Sequence, residues 1–393
     1  MKKIIIGLFL LVSLSSFSQS KLPVIIANSK TVAIRDGDYL DKNAWSLSPK
    51  IRPDVYTADR TRNTKWVIFY TDIDSIKVKV KPGTQFNFIV LLNGKDSCYT
   101  QINSAIPPEI KLGNHKNTHD TIPFKLTSYN AIHVQSVIND RDTVNLHFDL
   151  SSFDFHLTKD AILKKTRLLS NQPDALMGKS IPNYNRMDKV FKIQIGNLVF
   201  NNPELMPTSL TAHEMDGRFG WNIFEGKVIE LDYEKSLLIV HSSLPKGIRG
   251  YHRSTIHFIR SFPCVEALLG RAHKKYKGNF IMDTGADQAM MLDSTWLHDQ
   301  HIPLDFKLIK TTIFRDPKGQ KFESKTVLIP SIFMYGFSLT GIPTALLGSK
   351  NPTGIAINYF GNELLKRFNT IIDLKNDHIY LKANSLTYLP WKS

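Results

Sequence analysis

The chain has 393 residues, of which 42% are apolar, 22% charged and 10% aromatic, a globular composition that excludes collagen-like, coiled-coil and disordered chains. At roughly 150 residues per domain, this length corresponds to about two and a half domains. Lys and Arg number 50 against 35 Asp and Glu, for a net charge of +15, which favours an anionic partner or surface without specifying one.

The first residues read Lys2-Lys3, an apolar run from Ile4 to Val12, then Ser16-Phe17-Ser18. This is the three-part pattern of a secretory signal, so residues 1–18 are expected to be removed near Ser18 and the protein exported. The run is too short to span a bilayer, and no other stretch approaches the roughly 20 apolar residues required, so a soluble mature protein is expected. Only Cys98 and Cys264 are present, which excludes a disulfide-stapled fold and a four-thiolate zinc site. A single bridge between them and a pair of free buried thiols both remain open.

Residues 19–117 read as a small β domain of unassigned role. Trp66 to Tyr70, Ile76 to Val80 and Phe86 to Leu92 are β-branched and aromatic runs, and Asn93-Gly94 is a tight-turn signal. Downstream, Ile132 to Ile138, Val144 to Phe148, Lys227 to Leu231 and Leu237 to Val240 continue the strand pattern. Two stretches read as helices: Thr158 to Leu169, with Thr158 as N-cap, and Asp293 to Gln300, capped by Asp293 or Ser294.

From about residue 118 onward the chain reads as an internal repeat. Ile195-Gly196 and Pro203 match Tyr335-Gly336 and Pro343 at an offset of 140 residues. Phe219-Gly220-Trp221-Asn222 matches Phe360-Gly361-Asn362-Glu363, and Leu231-Asp232 matches Ile372-Asp373, at an offset of 141. Upstream, Asn145 to Asp149 matches Asn279 to Asp283 at an offset of 134. Two related β-rich lobes are predicted, 118–249 and 250–393, and the fold class is mainly β.

The sharpest local signal is Phe280-Ile281-Met282-Asp283-Thr284-Gly285-Ala286-Asp287, an apolar strand entering an acidic, glycine-containing turn. It resembles the active-site turn of the aspartic peptidases, retropepsin-like and pepsin-like. Tyr359-Phe360-Gly361 and the segment after it resemble the apolar-apolar-Gly element that packs under that turn in the family. The resemblance covers roughly residues 118–385 and implies that Asp283 is catalytic, that Thr284 bonds across the symmetry axis, and that Gly285 admits a water to the carboxylates. Ala286 and Asp287 then border the substrate. Two such aspartates share one proton, because neighbouring like charges cannot both ionise, and one serves as base while the other serves as acid. No cofactor or metal is implied.

The first lobe departs from that pattern. Its turn reads His147-Phe148-Asp149-Leu150-Ser151-Ser152, with Leu150 in place of Thr and Ser151 in place of Gly. Asp149 is either the second half of an unusual dyad or a relic held as a turn aspartate. The family covers its cleft with a β-hairpin flap, for which Thr311 to Phe314, Asp316-Pro317-Lys318-Gly319 and Lys321 to Ile329 are candidates in the second lobe. In the first lobe, Tyr184 is a candidate to lean over the substrate.

His213-Glu214 lacks the second histidine of a zinc-protease helix, because position 217 is Gly. The stretch 246–277 carries eight basic residues against Glu266 alone. It reads as a basic joint between lobes, solvated or facing an anionic envelope surface, and lacks the aromatic spacing of a nucleic-acid surface. The combined expectation is an exported aspartic endopeptidase acting on peptide or protein substrates through Asp149 and Asp283 of one chain. Two alternatives stand beside it: a homodimer that pairs Asp283 with its own copy, and an inactive fold retained for binding peptides or envelope partners.

Overall fold

In a computed structural model of the chain, the described residues are 22–108, 119–212, 214–271, 273–315, 321–348 and 355–392. The expected signal segment and its cleavage point at Ser18, His213, and the turn Asp316 to Gly319 lie outside them. The chain folds as two compact units that divide after Pro108.

The first unit is two four-stranded sheets whose inward residues share one core. One sheet orders Val24–Ala27, Gln85–Leu92, Asp96–Ser104 and Asp54–Ala58; the other orders Tyr39–Ser46, Thr31–Asp36, Lys65–Tyr70 and Ser75–Val80. Alternation does this work: Val67 and Phe69 of one sheet and Phe88 and Val90 of the other are fully buried, while their neighbours face outward. Asn93 and Gly94 turn the hairpin with φ of 52° and 64°, the left-handed conformation a tight hairpin connection requires. Cys98 is buried in this core and Cys264 in the second unit, both as free thiols.

The second unit repeats one sheet order twice. In the first lobe Ile132–Ile138, Asp142–Asp149, Gly217–Gly220, Phe155–Thr158 and Leu205–Thr208 lie side by side; in the second the order is Phe262–Arg271, Lys274–Asp283, Asn358–Gly361, Met290–Asp293 and Phe337–Leu347. Registers repeat as well. Asp149 pairs with Gly220 in a parallel ladder, and Asp283 pairs with Gly361 in another. The strand after each aspartate runs antiparallel to the glycine strand, so each aspartate stands at a strand end where the chain crosses beneath it.

A six-stranded sheet spans both lobes, ordered His252–Thr255, His378–Ala383, Phe368–Asp373, Val228–Asp232, Leu237–His241 and His119–Pro123. At its centre Ile229 pairs with Ile372, Glu230 with Ile371 and Leu231 with Thr370. Under the 141-residue offset of the repeat, Glu230 maps onto its own partner Ile371, and the pairs on either side exchange. The register is therefore symmetric about that pair, which fixes the pseudo-twofold axis between the lobes.

Both predicted helices form, shorter than the sequence suggests. Lys159–Lys165 is capped by Thr158, whose hydroxyl accepts from Ala161 N, and Ser294–Asp299 by Asp293, whose carboxylate accepts from Trp296 N. Residues 262–271 and 274–277 of the basic stretch belong to the hairpin Phe262–Arg271 and Lys274–Asp283 that carries the acidic turn, and the part before them leads from the first lobe through His252–Thr255 of the shared sheet. The charges of the stretch are partly neutralised, Arg271 by Asp305 and Lys277 by Glu266.

Candidate active site

The two strands that end at Asp149 and Asp283 deliver both carboxyl groups to one cleft of about 940 Å³. Ser151 joins them. Its hydroxyl lies 2.9 Å from Asp149 Oδ1 and 2.9 Å from Asp283 Oδ1. Its backbone N–H also donates to Asp149 Oδ1 at 2.8 Å. A hydroxyl has one proton to give. It donates to one carboxylate, and the other must bring a proton of its own to make the second contact favourable. The residue that departs from the glycine of the other turn thus ties the two aspartates together.

Asp283 Oδ1 accepts from Gly285 N at 3.0 Å and Ala286 N at 3.1 Å. Burial, reinforced by the neighbouring Asp149 charge, nevertheless pushes the Asp283 carboxyl up to about 7, against the pull of Ser151 and the two N–H donors. At Gly285 a Cβ would lie 2.9 Å from Asp149 Oδ2 and 3.1 Å from Asp283 Oδ1. Only a glycine leaves both carboxylates open to the cleft at this point.

The turn is held across the pseudo-axis from one side. Thr284, fully buried, accepts from Leu150 N at 2.9 Å and donates to Phe148 O at 3.0 Å. Leu150 cannot return these bonds through its side chain, which is buried in the core and does not line the cleft. His147 makes the other crossing contact, with Nε2 3.0 Å from Thr284 O. A carbonyl only accepts, so Nε2 carries the proton. Burial holds the imidazole below its ordinary range. Replacing Thr284 by Val, similar in shape, leaves two buried backbone groups unpaired and is expected to cost about 2–4 kcal/mol in urea unfolding; an unchanged midpoint would refute the grip.

Asn130 links the lobes a second time. This buried residue, at φ 59°, donates to Asp287 O at 3.2 Å and Glu363 Oε2 at 3.1 Å, and accepts from Lys366 Nζ at 2.9 Å. Tyr233 of the first lobe donates to Asn362 Oδ1 at 2.7 Å, immediately after Gly361. The glycine strand and the short helix Asn362–Leu365 are thereby fixed to both lobes.

The hairpin of Lys307–Arg315 and Lys321–Met334 belongs to the second lobe, and Lys310, Thr312, Ser324 and Thr326 on one of its faces line the cleft. Ala286 and Asp287 line it too. Tyr184 does not. The segment before it forms the short helix Pro173–Leu176 and folds down onto the helix Lys159–Lys165, where Tyr184 Oη donates to Lys159 O at 3.3 Å and the ring lies 5.5 Å from Lys159 Nζ. Without a strand pair in this segment, nothing projects it over the cleft. His147, Arg218 and Lys310 also line the cleft, and no sequence motif marks them as site residues. The available signal was alternation, because His147 stands two residues before Asp149 on one strand face.

The Ser151 contact has a titration consequence. Its hydroxyl favours the ionised form of Asp283, so Ser151→Ala is expected to move the upper limb of any pH–rate profile to higher pH, by about half a unit to one unit. An unmoved limb would separate Ser151 from the pair.

No protein-family model and no curated protein matches the sequence. Among solved structures, the chain is similar to the crystal structure of an aspartic proteinase from Irpex lacteus, at 12% identity and a TM-score of 0.44, over 70% of this chain and all of that one.

Proposed function

We propose that this protein is an exported aspartic endopeptidase whose dyad, Asp149 and Asp283, comes from a single chain. The observation that supports this best is the meeting of the two repeat-related aspartates at one hydroxyl, with Asp283 pushed up to about 7. A pair so placed holds one proton below about neutral pH. Asp149 takes a proton from water as the water oxygen bonds to the peptide carbonyl carbon, and Asp283 gives its proton to the carbonyl oxygen. In the collapse of the gem-diol, a proton passes to the leaving nitrogen as the C–N bond breaks. Lys310 and Thr312 of the hairpin stand on the cleft wall beside the bound peptide.

The test is cleavage of an unfolded protein by purified material at mildly acidic pH, below the value of about 7 at which Asp283 gives up its proton. Cleavage should be blocked by a statine-type inhibitor and lost in Asp149→Asn. Retained turnover in Asp149→Asn would overturn the single-chain dyad, and a dimer by light scattering would then favour pairing of Asp283 with its own copy. Peptide binding without turnover would leave a binding protein.

A further inference from the structure

Behind each active-site carboxylate lies a layer of side chains on the same sheet face. In the second lobe it is apolar: Cys264, Ile281, Ile357 and Tyr359 form one buried cluster, with Met291 packed against it. Strand register identifies the first-lobe equivalents. Cys264 pairs with Ile281 as His133 pairs with His147, while Ile281 and Met291 face Tyr359 as His147 and His156 face Arg218. Three histidines and an arginine therefore occupy positions that the repeat fills elsewhere with Cys, Ile, Met and Tyr. The fold itself does not require a cation there.

Arg218 is half-buried and lines the cleft with His147 and Asp149. It donates through Nε to Ser152 Oγ at 2.9 Å and through Nη1 to Leu210 O at 3.1 Å. Among the described residues no carboxylate pairs with it, and its remaining N–H groups have no partner. Taking a guanidinium partly out of water without a counter-ion is unfavourable. Across the cleft, the exposed Lys310 of the hairpin is also without an ion pair among the described residues. Lys392 is a third cation on the cleft wall, and Asp287 is the one acid there outside the dyad. Burial disfavours a charge on His147, and its Nε2 proton is committed to Thr284 O.

We propose that the cleft selects acidic peptides, with a substrate carboxylate bound between Arg218 of the first lobe and Lys310 of the hairpin. This rests on the reading of the cleft as a peptide site. The carboxylate has two possible sources, an Asp or Glu side chain or the peptide C-terminus. Amidating the terminus of the test peptide tells the two apart.

The experiment uses the full chain with Asp283→Asn, so that binding is measured without turnover. Octapeptides carrying Glu or Gln at one scanned position, each with a free or amidated C-terminus, are titrated calorimetrically at low and high salt. At one position Glu should bind about tenfold tighter than Gln, as expected for a charge-assisted carboxylate contact, and the advantage should shrink at high salt. Lys310→Gln should remove most of it, and Lys310→Glu should reverse it in favour of a Lys-bearing peptide. Arg218→Gln should do the same as Lys310→Gln; should it fail to fold, the two Lys310 variants on the exposed hairpin decide alone. Loss of affinity on amidation instead would keep the cationic site and assign it to the terminus. Equal affinity for all four peptides, or a Glu preference untouched by either Lys310 variant, would overturn the proposal. A Glu preference in a protein that never cleaves would sink the peptidase reading alone, whereas cleavage with no such preference would sink this one alone.

Discussion

Asp283→Asn is expected to reduce peptide hydrolysis by at least about 10³-fold, the scale of losing a group that acts in the transition state, while making the protein harder to unfold above neutral pH. The second effect follows from linkage. Asp283 is pushed up to about 7 in the folded protein and returns to an ordinary carboxylate range near 3.9 when unfolded. Between those values the folded state binds more protons than the unfolded state, so stability falls as pH rises through this window and stays at its lower level above it. Asn removes the ionisation and can still accept from Gly285 N and Ala286 N through its carbonyl. The predicted gain at pH 8 is on the order of 2–4 kcal/mol, with little change near pH 4. Thermal melts of the two proteins at both pH values check it. A variant less stable than wild type at pH 8 would mean that Asp283 is not held against its ionisation.

Gly361→Ala should be more damaging than its size suggests. A Cβ at that position would lie 2.1 Å from Gln288 O, 3.0 Å from Gln288 C and 3.1 Å from Ala286 O, all of them backbone atoms. None can rotate away as a side-chain tip would. The stretch that includes Asp283, Gly285 and Ala286 must shift instead, and a displacement of about 1 Å is enough to cost about 10²-fold in rate. Destabilisation above about 4 kcal/mol is expected, in the range reserved for severe steric conflicts. The repeat supplies a control: at Gly220 a Cβ would lie 2.1 Å from Ser152 O, so Gly220→Ala should behave alike. Urea unfolding and kcat/KM measured on both variants test this, and wild-type values in either would contradict the strand crossing beneath the aspartates.

Much of the lobe architecture was legible because it depends on local pattern. Strand runs such as Ile132 to Ile138 and Val144 to Phe148 follow from residue type and alternation. The constant offsets of 140 and 141 residues mark the duplication, whereas the pairing of Glu230 with Ile371 about the pseudo-axis is set by the shared six-stranded sheet. Tyr184 was misplaced because its neighbourhood lacks a strand partner, and a segment of that kind is positioned by whichever surface it packs against, here the helix Lys159–Lys165. Ser151 was legible as a departure from the other turn, but its effect depended on where a hydroxyl falls relative to a carboxylate 132 residues away.

By itself the sequence determined the mainly β character, the duplication, the acidic turn at Asp283 and its degenerate copy at Asp149, since each is written in nearest neighbours or in a constant offset. The tertiary structure alone decided that Asp149 and Asp283 converge on Ser151, that His147 adds a cross-axis contact of its own to Thr284 O, and that Arg218 reaches the cleft without a counter-ion among the described residues. Those outcomes depend on distances of a few ångströms between segments far apart in the chain, and such distances are set by strand register across two lobes, which no local pattern encodes.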